Sequence, residues 1–349
     1  MKKVKEIKKQ FIFPENQTGF KDCHSNTHLK IGPKDYLVVY FAGTKEGTPD
    51  LGIWLSRCKD GIWLPPRRIK FIYLLPHWNP VIIQSGSRIF MYYKVGMSPQ
   101  KWYTMVSYSD DLGETWSESV EAVPGDYRPR AGVRNKFIVA TNGYWLAPTS
   151  KEEGNDFDCY IDISKDKGKT WEISPIPLKH QSFSPIDPNK LGEIINKDLL
   201  WECNPKIVEK WDGVIQPTLW ESSPGHIHAL MRSTRDRIMR SDSADYGATW
   251  CEAYMTDMPN NCCGIDVDRF NDGSLVLVYN PVAQNWGPRS PLSISFSEDN
   301  GKTFSEPVHL ETKPGEYSYP SVRVEDDKHI NILYTHNRAT FVHCEVILE

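Results

Sequence analysis

The sequence predicts an all-β fold, specifically a β-propeller, on three observations. A short hairpin box recurs along the chain, its copies fall roughly 50 residues apart, and the intervals between them read as short strands. No stretch shows sustained helical periodicity.

The box is clearest in Ser107-Tyr108-Ser109-Asp110-Asp111-Leu112-Gly113-Glu114-Thr115-Trp116. Further copies run from Ser164 to Trp171, from Ser243 to Trp250 and from Ser297 to Phe304, with a worn relative from Ser56 to Trp63. Each reads S-x-D-x-G-x-T-W or close to it, which is the chemistry of a tight corner. Asp accepts backbone N–H bonds inside the turn, Gly supplies a left-handed position, Thr opens the next strand and Trp plugs the space beneath. Asp110, Asp166, Asp245 and Asp299 are therefore assigned to folding rather than to chemistry.

The turn glycines Gly61, Gly113, Gly168, Gly247 and Gly301 succeed one another at intervals of 52, 55, 79 and 54 residues. That period suits one four-stranded blade per repeat. Strand-like runs fill the intervals: Tyr36 to Phe41, Arg88 to Tyr93 and Ser274 to Tyr279. Asn331 to Tyr334 and Phe341 to Val346 form a last unit without a box. Five boxed units plus this one predict six blades, with seven as the alternative count. A strand near residues 8–13 is expected to close the ring, because closure leaves no exposed strand edge. The long interval contains a Pro-, Asn- and Lys-rich stretch at 175–211, read as an insertion loop. The whole chain, 1–349, is read as a single domain.

Composition narrows the function. A net charge of −4 offers no basic surface for nucleic acid. Eight cysteines without a C-x-x-C pair suggest neither a zinc site nor a disulfide framework. No apolar run is long enough to span a membrane, and the lysine-rich start lacks the apolar segment of a signal peptide. A cytoplasmic protein with reduced thiols is expected. Twelve Trp and sixteen Tyr suit strands and sugar-binding clefts alike. No cofactor is expected and no cluster has metal-ligand spacing, although loop carboxylates leave room for a structural Ca²⁺.

The repeated boxes resemble those of the sialidase superfamily, over nearly the whole chain. The resemblance implies that the boxes are outer structural corners and that chemistry lies at the propeller centre. It also implies a site of three arginines on a sialic acid carboxylate, an acid/base aspartate, and a tyrosine nucleophile activated by a glutamate. Pro49-Asp50-Leu51-Gly52-Ile53-Trp54 resembles the acid/base segment and points to Asp50. His228-Ala229-Leu230-Met231-Arg232 and Pro288-Arg289-Ser290-Pro291 resemble two arginine segments, giving Arg232 and Arg289. Glu316-Tyr317-Ser318 resembles the nucleophile segment, giving Tyr317.

Departures from that pattern are equally informative. Where the first arginine is expected, the chain reads Cys23-His24-Ser25-Asn26-Thr27, and Lys45 stands where a supporting arginine would be. The glutamate falls on Gln216, which has the shape of Glu but cannot take a proton. Glu221 is near, but strand alternation puts it on the opposite face. A tyrosine with a pKa near 10 needs a base to attack at neutral pH.

Arginines, a tyrosine and the histidines His24 and His77 are instead the parts of a β-elimination at a uronic acid. Arginine neutralises the carboxylate, His takes the C5 proton and Tyr protonates the leaving oxygen. The segments Cys23-His24-Ser25, Phe41-Ala42-Gly43-Thr44-Lys45-Glu46-Gly47, His77-Trp78-Asn79-Pro80 and Val133-Arg134-Asn135-Lys136 also resemble the propeller polysaccharide lyases grouped with neuraminidases, including rhamnose–glucuronate lyases. The expected catalytic set is Tyr317, His24, His77 and Asp50, with Arg232, Arg289, Arg134, Lys45 and Gln216 binding substrate. Trp78 and Trp286 are either stacking platforms or core, and His226 and His228 share a strand face with Arg232. The leading expectation is a lyase acting on an acidic oligosaccharide. The alternatives are an exo-sialidase and a non-catalytic glycan-binding propeller.

Overall fold

Antiparallel meanders dominate the computed structural model, which describes residues 2–15, 19–181 and 205–349. Helix is confined, among the described residues, to Pro205–Val208 and a single 3-10 turn at Pro99–Lys101. The first sheet runs Asp22–Gly32, Asp35–Gly43, Gly52–Lys59 and Ile62–Trp63, with Arg67–Lys70 beside the third strand. The second runs His77–Ser85, Arg88–Gly96, Trp102–Ser109 and Val120–Glu121. Asp266–Arg269, Leu275–Tyr279, Leu292–Ser297 and Val308–Glu311 form another.

Between these lies a longer sheet made of two meanders. Ile138–Val139, Trp145–Glu153, Asp156–Ser164 and Glu172–Pro175 make one; Asp212–Ser223, His226–Ser233, Arg237–Ser243 and Tyr254–Pro259 make the other. A two-residue parallel pairing, Asp156 with Asp212 and Phe157 with Gly213, joins them. Gly213 is obligatory there: its φ is +137°, and a Cβ would lie 2.0 Å from the Phe157 carbonyl oxygen.

The last sheet closes the ring. Tyr317–Val324, His329–His336 and Thr340–Leu348 are joined by Val4–Phe11, which pairs antiparallel with Thr340–Leu348. The expected N-terminal closure is thus present, starting four residues earlier than the sequence suggested. The expected insertion at 175–211 begins in a strand and ends in a short helix; residues 182–204 of it lie outside the described residues.

The first strands of the meanders meet around a common axis. Asp22–Gly32 touches His77–Ser85 and Tyr317–Val324, while Asp266–Arg269 touches Asp212–Ser223 and Tyr317–Val324. Sheets packed on both faces need apolar residues at successive positions. Leu37 to Ala42 is such a run, fully buried. Phe41, Ile53 and Leu55 pack on Ile82, Ile89 and Met91 of the next sheet. Each such side chain contributes about 1.5–3 kcal/mol when buried.

The boxes form the predicted corners. In Ser164–Trp171 the Ser164 hydroxyl donates to Asp166 at 2.8 Å and accepts the Gly168 N–H at 2.7 Å; Asp166 also accepts the Thr170 N–H at 2.9 Å and its hydroxyl at 2.6 Å. The same bonds recur around Asp245 and Asp299. In the second sheet the box residue is Asp111, not Asp110. Asp111 accepts from Ser109 and Thr115, whereas Asp110 lies outside the turn and pairs with Arg88 at 2.6 Å.

Polar bolts cross the axis. Lys136 donates to both Asp266 oxygens at 2.9 Å and to the Val267 carbonyl at 2.7 Å. Asp266 in turn accepts from Thr218 at 2.6 Å and from the Val322 N–H at 2.8 Å. One buried ion pair thereby ties four meanders together, with its remaining lone pairs satisfied.

Candidate functional site

Four of the inner strands break register near the axis, at His24/Thr27, Trp78/Val81, Ile215/Thr218 and Ser318/Ser321. Each break holds a residue in the left-handed region: Ser25 at φ 57°, Asn79 at 41°, Gln216 at 54° and Tyr319 at 50°. Proline comes next in three of them, as Pro80, Pro217 and Pro320. A proline cannot donate to the ladder, so it sits where pairing is interrupted, and the bulge re-aims the residue before it. Asn79, Gln216 and Tyr319 thereby line a central cavity of about 310 Å³. The unfavourable φ at Gln216 and Tyr319 costs about 1–3 kcal/mol each.

That conformation is held from beneath by Arg134-Asn135-Lys136. Asn135 donates to the carbonyls of Gln216 at 3.0 Å and Pro217 at 2.9 Å. Arg134 donates to the carbonyls of Pro320 and, at 2.9 Å, Ile265, and lies 5.0 Å from the Tyr319 ring centre. Asn26 donates to the Tyr319 carbonyl at 3.1 Å. Arg134 is a buried positioning residue under the cavity, not part of its lining.

Three arginines line the cavity: Arg232, Arg289 and Arg338. Arg289 and Arg338 share Glu316, which lies beneath them. Burial would raise the Glu316 pKa, but the two guanidiniums prevail and hold it below the usual carboxylate range. Arg338 also pairs with Glu46. Arg232 is different. Its Nη1 donates to Tyr319 Oη at 2.6 Å and to Gln216 Oε1 at 3.0 Å, and Nη2 lies 3.8 Å from Cys262 Sγ. No carboxylate among the described residues pairs with this buried cation, which is only 2% exposed.

Two carboxyl groups face these cations, Glu46 and Glu152. Burial pushes Glu152 up to about 7, with nearby Arg232 opposing and Glu46 adding to the rise. A carboxyl that exchanges its proton near neutrality suits general acid–base work. Trp78, Trp102, Trp211 and Trp286 supply aromatic walls, with Trp286 5.8 Å from the Arg232 guanidinium.

Arg232, Arg289 and Gln216 of the expected set come together in the cavity, and the other expected residues do not line it. Tyr317 is packed among Leu292, Val322 and Tyr334 in an apolar core, its ring 5.2 Å from His336. Strand alternation with the bulge sends Tyr319, two positions on, to the cavity instead. His24 lies under Tyr319, with ring centres 4.0 Å apart, and bonds Thr335 at 2.9 Å. Burial, then the charges of Arg338, Arg289, Arg134 and Arg232, keep it neutral, and it lies outside the cavity lining.

His77 stacks on Tyr93 at 5.5 Å and bonds the Leu75 carbonyl. Asp50 is a loop brace: it accepts from the Thr44 N–H at 2.9 Å and from the hydroxyls of Thr44 and Thr48 at 2.8 and 2.6 Å. Burial opposes but those bonds prevail, lowering its pKa. Lys45 is exposed in the same loop, where neighbouring Glu46 reaches the cavity. His228 is bound by Ser222 and Asp242, and His226 is exposed; neither lines the cavity. Among the described residues no group of His, Cys, Asp or Glu is arranged to hold a metal ion.

Tyr319, Arg338, Glu46 and Glu152 are absent from the set expected from sequence. Tyr319 carries a signal: it precedes proline as Asn79 and Gln216 do. The others are brought in by hairpin and loop geometry that no local motif encodes.

The BNR repeat-like domain family matches residues 34–332. No curated protein matches the sequence. Among solved structures, a Hadza microbial sialidase, Hz136, superposes with a TM-score of 0.73 at 16% identity, covering 97% of this chain and 68% of its own. A Dyadobacter fermentans protein of unknown function gives 0.72 at 16% identity, over 98% and 99% of the two chains. Trypanosoma rangeli sialidase gives 0.72 at 14% identity, over 98% of this chain and 60% of its own. At such identities the likeness concerns the fold.

Proposed function

The chain belongs to the BNR repeat-like domain family, and on that premise we propose that it is a carbohydrate-active enzyme cleaving a glycosidic bond at a carboxylate-bearing sugar. One observation carries this reading: Arg232, a buried cation with no carboxylate partner among the described residues, lines the cavity and touches the Tyr319 hydroxyl. A carboxylate ligand supplies the missing counter-charge, and guanidinium binds it through paired hydrogen bonds. We also infer six blades: Ser25, Asn79, Ala131, Gln216, Cys262 and Tyr319 repeat one left-handed position at the start of successive meanders.

Elimination at a uronate is the favoured chemistry. With the carboxylate neutralised by Arg232 and its neighbours, the C5 proton becomes acidic. Glu152, its carboxyl tuned close to neutral pH, takes that proton as base. The C5–H electrons form the C4–C5 double bond, the C4–O bond breaks, and the Tyr319 hydroxyl protonates the departing oxygen. Arg232 stabilises the charge that develops on the phenol oxygen. This assigns to Glu152 and Tyr319 the roles expected of a histidine and Tyr317.

Sialoside hydrolysis is the second reading, favoured by the sialidases among the structural neighbours. Gln216 weighs against it, since the residue beside Arg232 has no proton-accepting carboxylate to activate Tyr319. Uronate-containing oligosaccharides and sialosides, offered in parallel, separate the two. Elimination yields the ultraviolet absorbance of an unsaturated uronate, lost in Tyr319→Phe. Free sialic acid without that absorbance would overturn elimination, and binding without turnover of either would leave a glycan-binding propeller.

A further inference from the structure

A second cavity of about 680 Å³ adjoins the first, and Pro99, Gln100, Trp102 and Glu152 line both. Glu152 therefore stands on the wall between an arginine-lined chamber and an outer groove. The groove has a different character. Tyr127 presents a ring that is 68% exposed, propped edge-on against Tyr103 at 5.6 Å. Pro129, Pro175 and Ile173 add apolar surface.

Its cations are already matched. Arg128 makes two bonds to Asp126, at 2.8 and 2.7 Å, and Lys151 pairs with Glu153 at 2.9 Å. Nothing like the uncompensated Arg232 occurs among these groups. The groove thus combines an exposed aromatic face, apolar flanks and hydrogen-bonding groups without an unmatched cation. That combination suits a neutral pyranose, whose C–H face stacks on a ring while its hydroxyls reach the polar rim. Its volume lies in the middle of the roughly 300–1,000 Å³ range of ligand sites, and the inner chamber lies at the bottom of it.

We propose that this groove is a subsite for neutral sugars across the scissile bond, so that the substrate is an acidic sugar joined to a neutral oligosaccharide chain. The inference rests on the proposed function for the inner chamber. It adds that chain length, read through Tyr127, sets the specificity.

Two measurements test it on the full chain. The first compares kcat/KM on disaccharides and tetrasaccharides that carry one uronate glycosylated at O4, or one terminal sialate, and are otherwise neutral. A tetrasaccharide advantage of at least about tenfold is expected, abolished in Tyr127→Ala and retained in Tyr127→Phe, which keeps the ring. Rates independent of chain length, or equal losses on both lengths in Tyr127→Ala, would overturn the proposal. Because Tyr127 is exposed, unchanged thermal unfolding of the variants checks that the fold persists.

The second measurement is binding of uncapped neutral tetrasaccharides on a glycan array, with Tyr127→Ala and Arg232→Ala in parallel. Binding lost in Tyr127→Ala and kept in Arg232→Ala supports the groove even when no acidic sugar is cleaved, in which case the inner-chamber reading falls alone. Cleavage of acidic sugars with no neutral oligosaccharide bound and no chain-length effect removes the groove alone.

Discussion

Arg232 Nη1 lies 2.6 Å from Tyr319 Oη and 3.0 Å from Gln216 Oε1, so one guanidinium nitrogen links the phenol to an amide where a carboxylate would have neutralised the charge. In the proposed function, the charge of Arg232 is left for a ligand carboxylate. Arg232→Lys keeps the charge but loses the planar fork. It is expected to weaken binding of a carboxylate-bearing sugar about 10-fold, and Arg232→Ala about 100-fold, by calorimetric titration.

Gln216→Glu tests the same relationship from the other side. A carboxylate at that place pairs with Arg232 and competes with the ligand for it. Affinity for the acidic sugar should drop at least about tenfold, and the loss should shrink as pH is lowered and the new carboxyl is protonated. A variant that binds as tightly as the parent at neutral pH would contradict the role given to Arg232.

The two tyrosines separate cleanly. Tyr319→Phe removes a hydroxyl in the cavity and should lower kcat by about 10²-fold or more, with little change in thermal unfolding. Tyr317→Phe alters a core residue and should leave kcat within about threefold.

Glu152 sets a pH dependence. Its folded pKa, raised to about 7 from 4.5, means that the base form accumulates only as pH rises through 7. Activity should climb across that interval, and Glu152→Gln should lower it about 10²-fold or more and abolish the climb. For stability the sign is opposite: the protonated carboxyl is the one the fold prefers. The contribution is complete below about 4.5 and is lost as pH rises through 7, so Glu152→Gln should unfold less readily than the parent at pH 8.

The box aspartates act in the acid range. Hydrogen bonds from the Thr170 hydroxyl and N–H, outweighing partial burial, hold Asp166 at about 2, and Asp111 and Asp299 are likewise held at about 2. Their folded pKa values lie below the unfolded 3.8, so this stabilisation is present above about 4 and lost as pH falls through 2. Asp166→Ala, which removes several such bonds, should cost about 2 kcal/mol by denaturant titration at pH 7, with no effect on kcat.

Much of the fold is legible in the sequence because its determinants are local. Ser164, Asp166, Gly168 and Thr170 contact one another within seven residues, so the corner they build can be read from a single line of sequence. The site is legible only where its residues sit in such local patterns, as Arg232, Arg289 and Gln216 do. Local pattern points to Tyr317 rather than Tyr319 because a bulge inserts one extra residue into the strand and re-aims its later side chains, a change invisible to simple alternation. Arg338 and Glu46, 292 positions apart, meet through ring closure alone. Glu152 acquires its pKa from burial, which depends on the segments that fold over it.

The strand Val4–Phe11 finds its partner in Thr340–Leu348, so a segment that leaves the ribosome early must wait for one that emerges late. During that interval its hydrogen-bonding edge is open to any other strand, including that of a neighbouring nascent chain. The sequence Val-Lys-Glu-Ile-Lys-Lys-Gln-Phe answers the hazard with Lys5, Lys8 and Lys9, whose mutual repulsion discourages self-association of waiting copies. Replacing Lys5 and Lys8 by threonine would leave the finished ring little changed while increasing losses to aggregation during synthesis, whereas Lys9 also bonds Leu310 and Glu311 of the neighbouring sheet. The charges of Lys5 and Lys8, which look incidental on the completed surface, protect the chain before it has one.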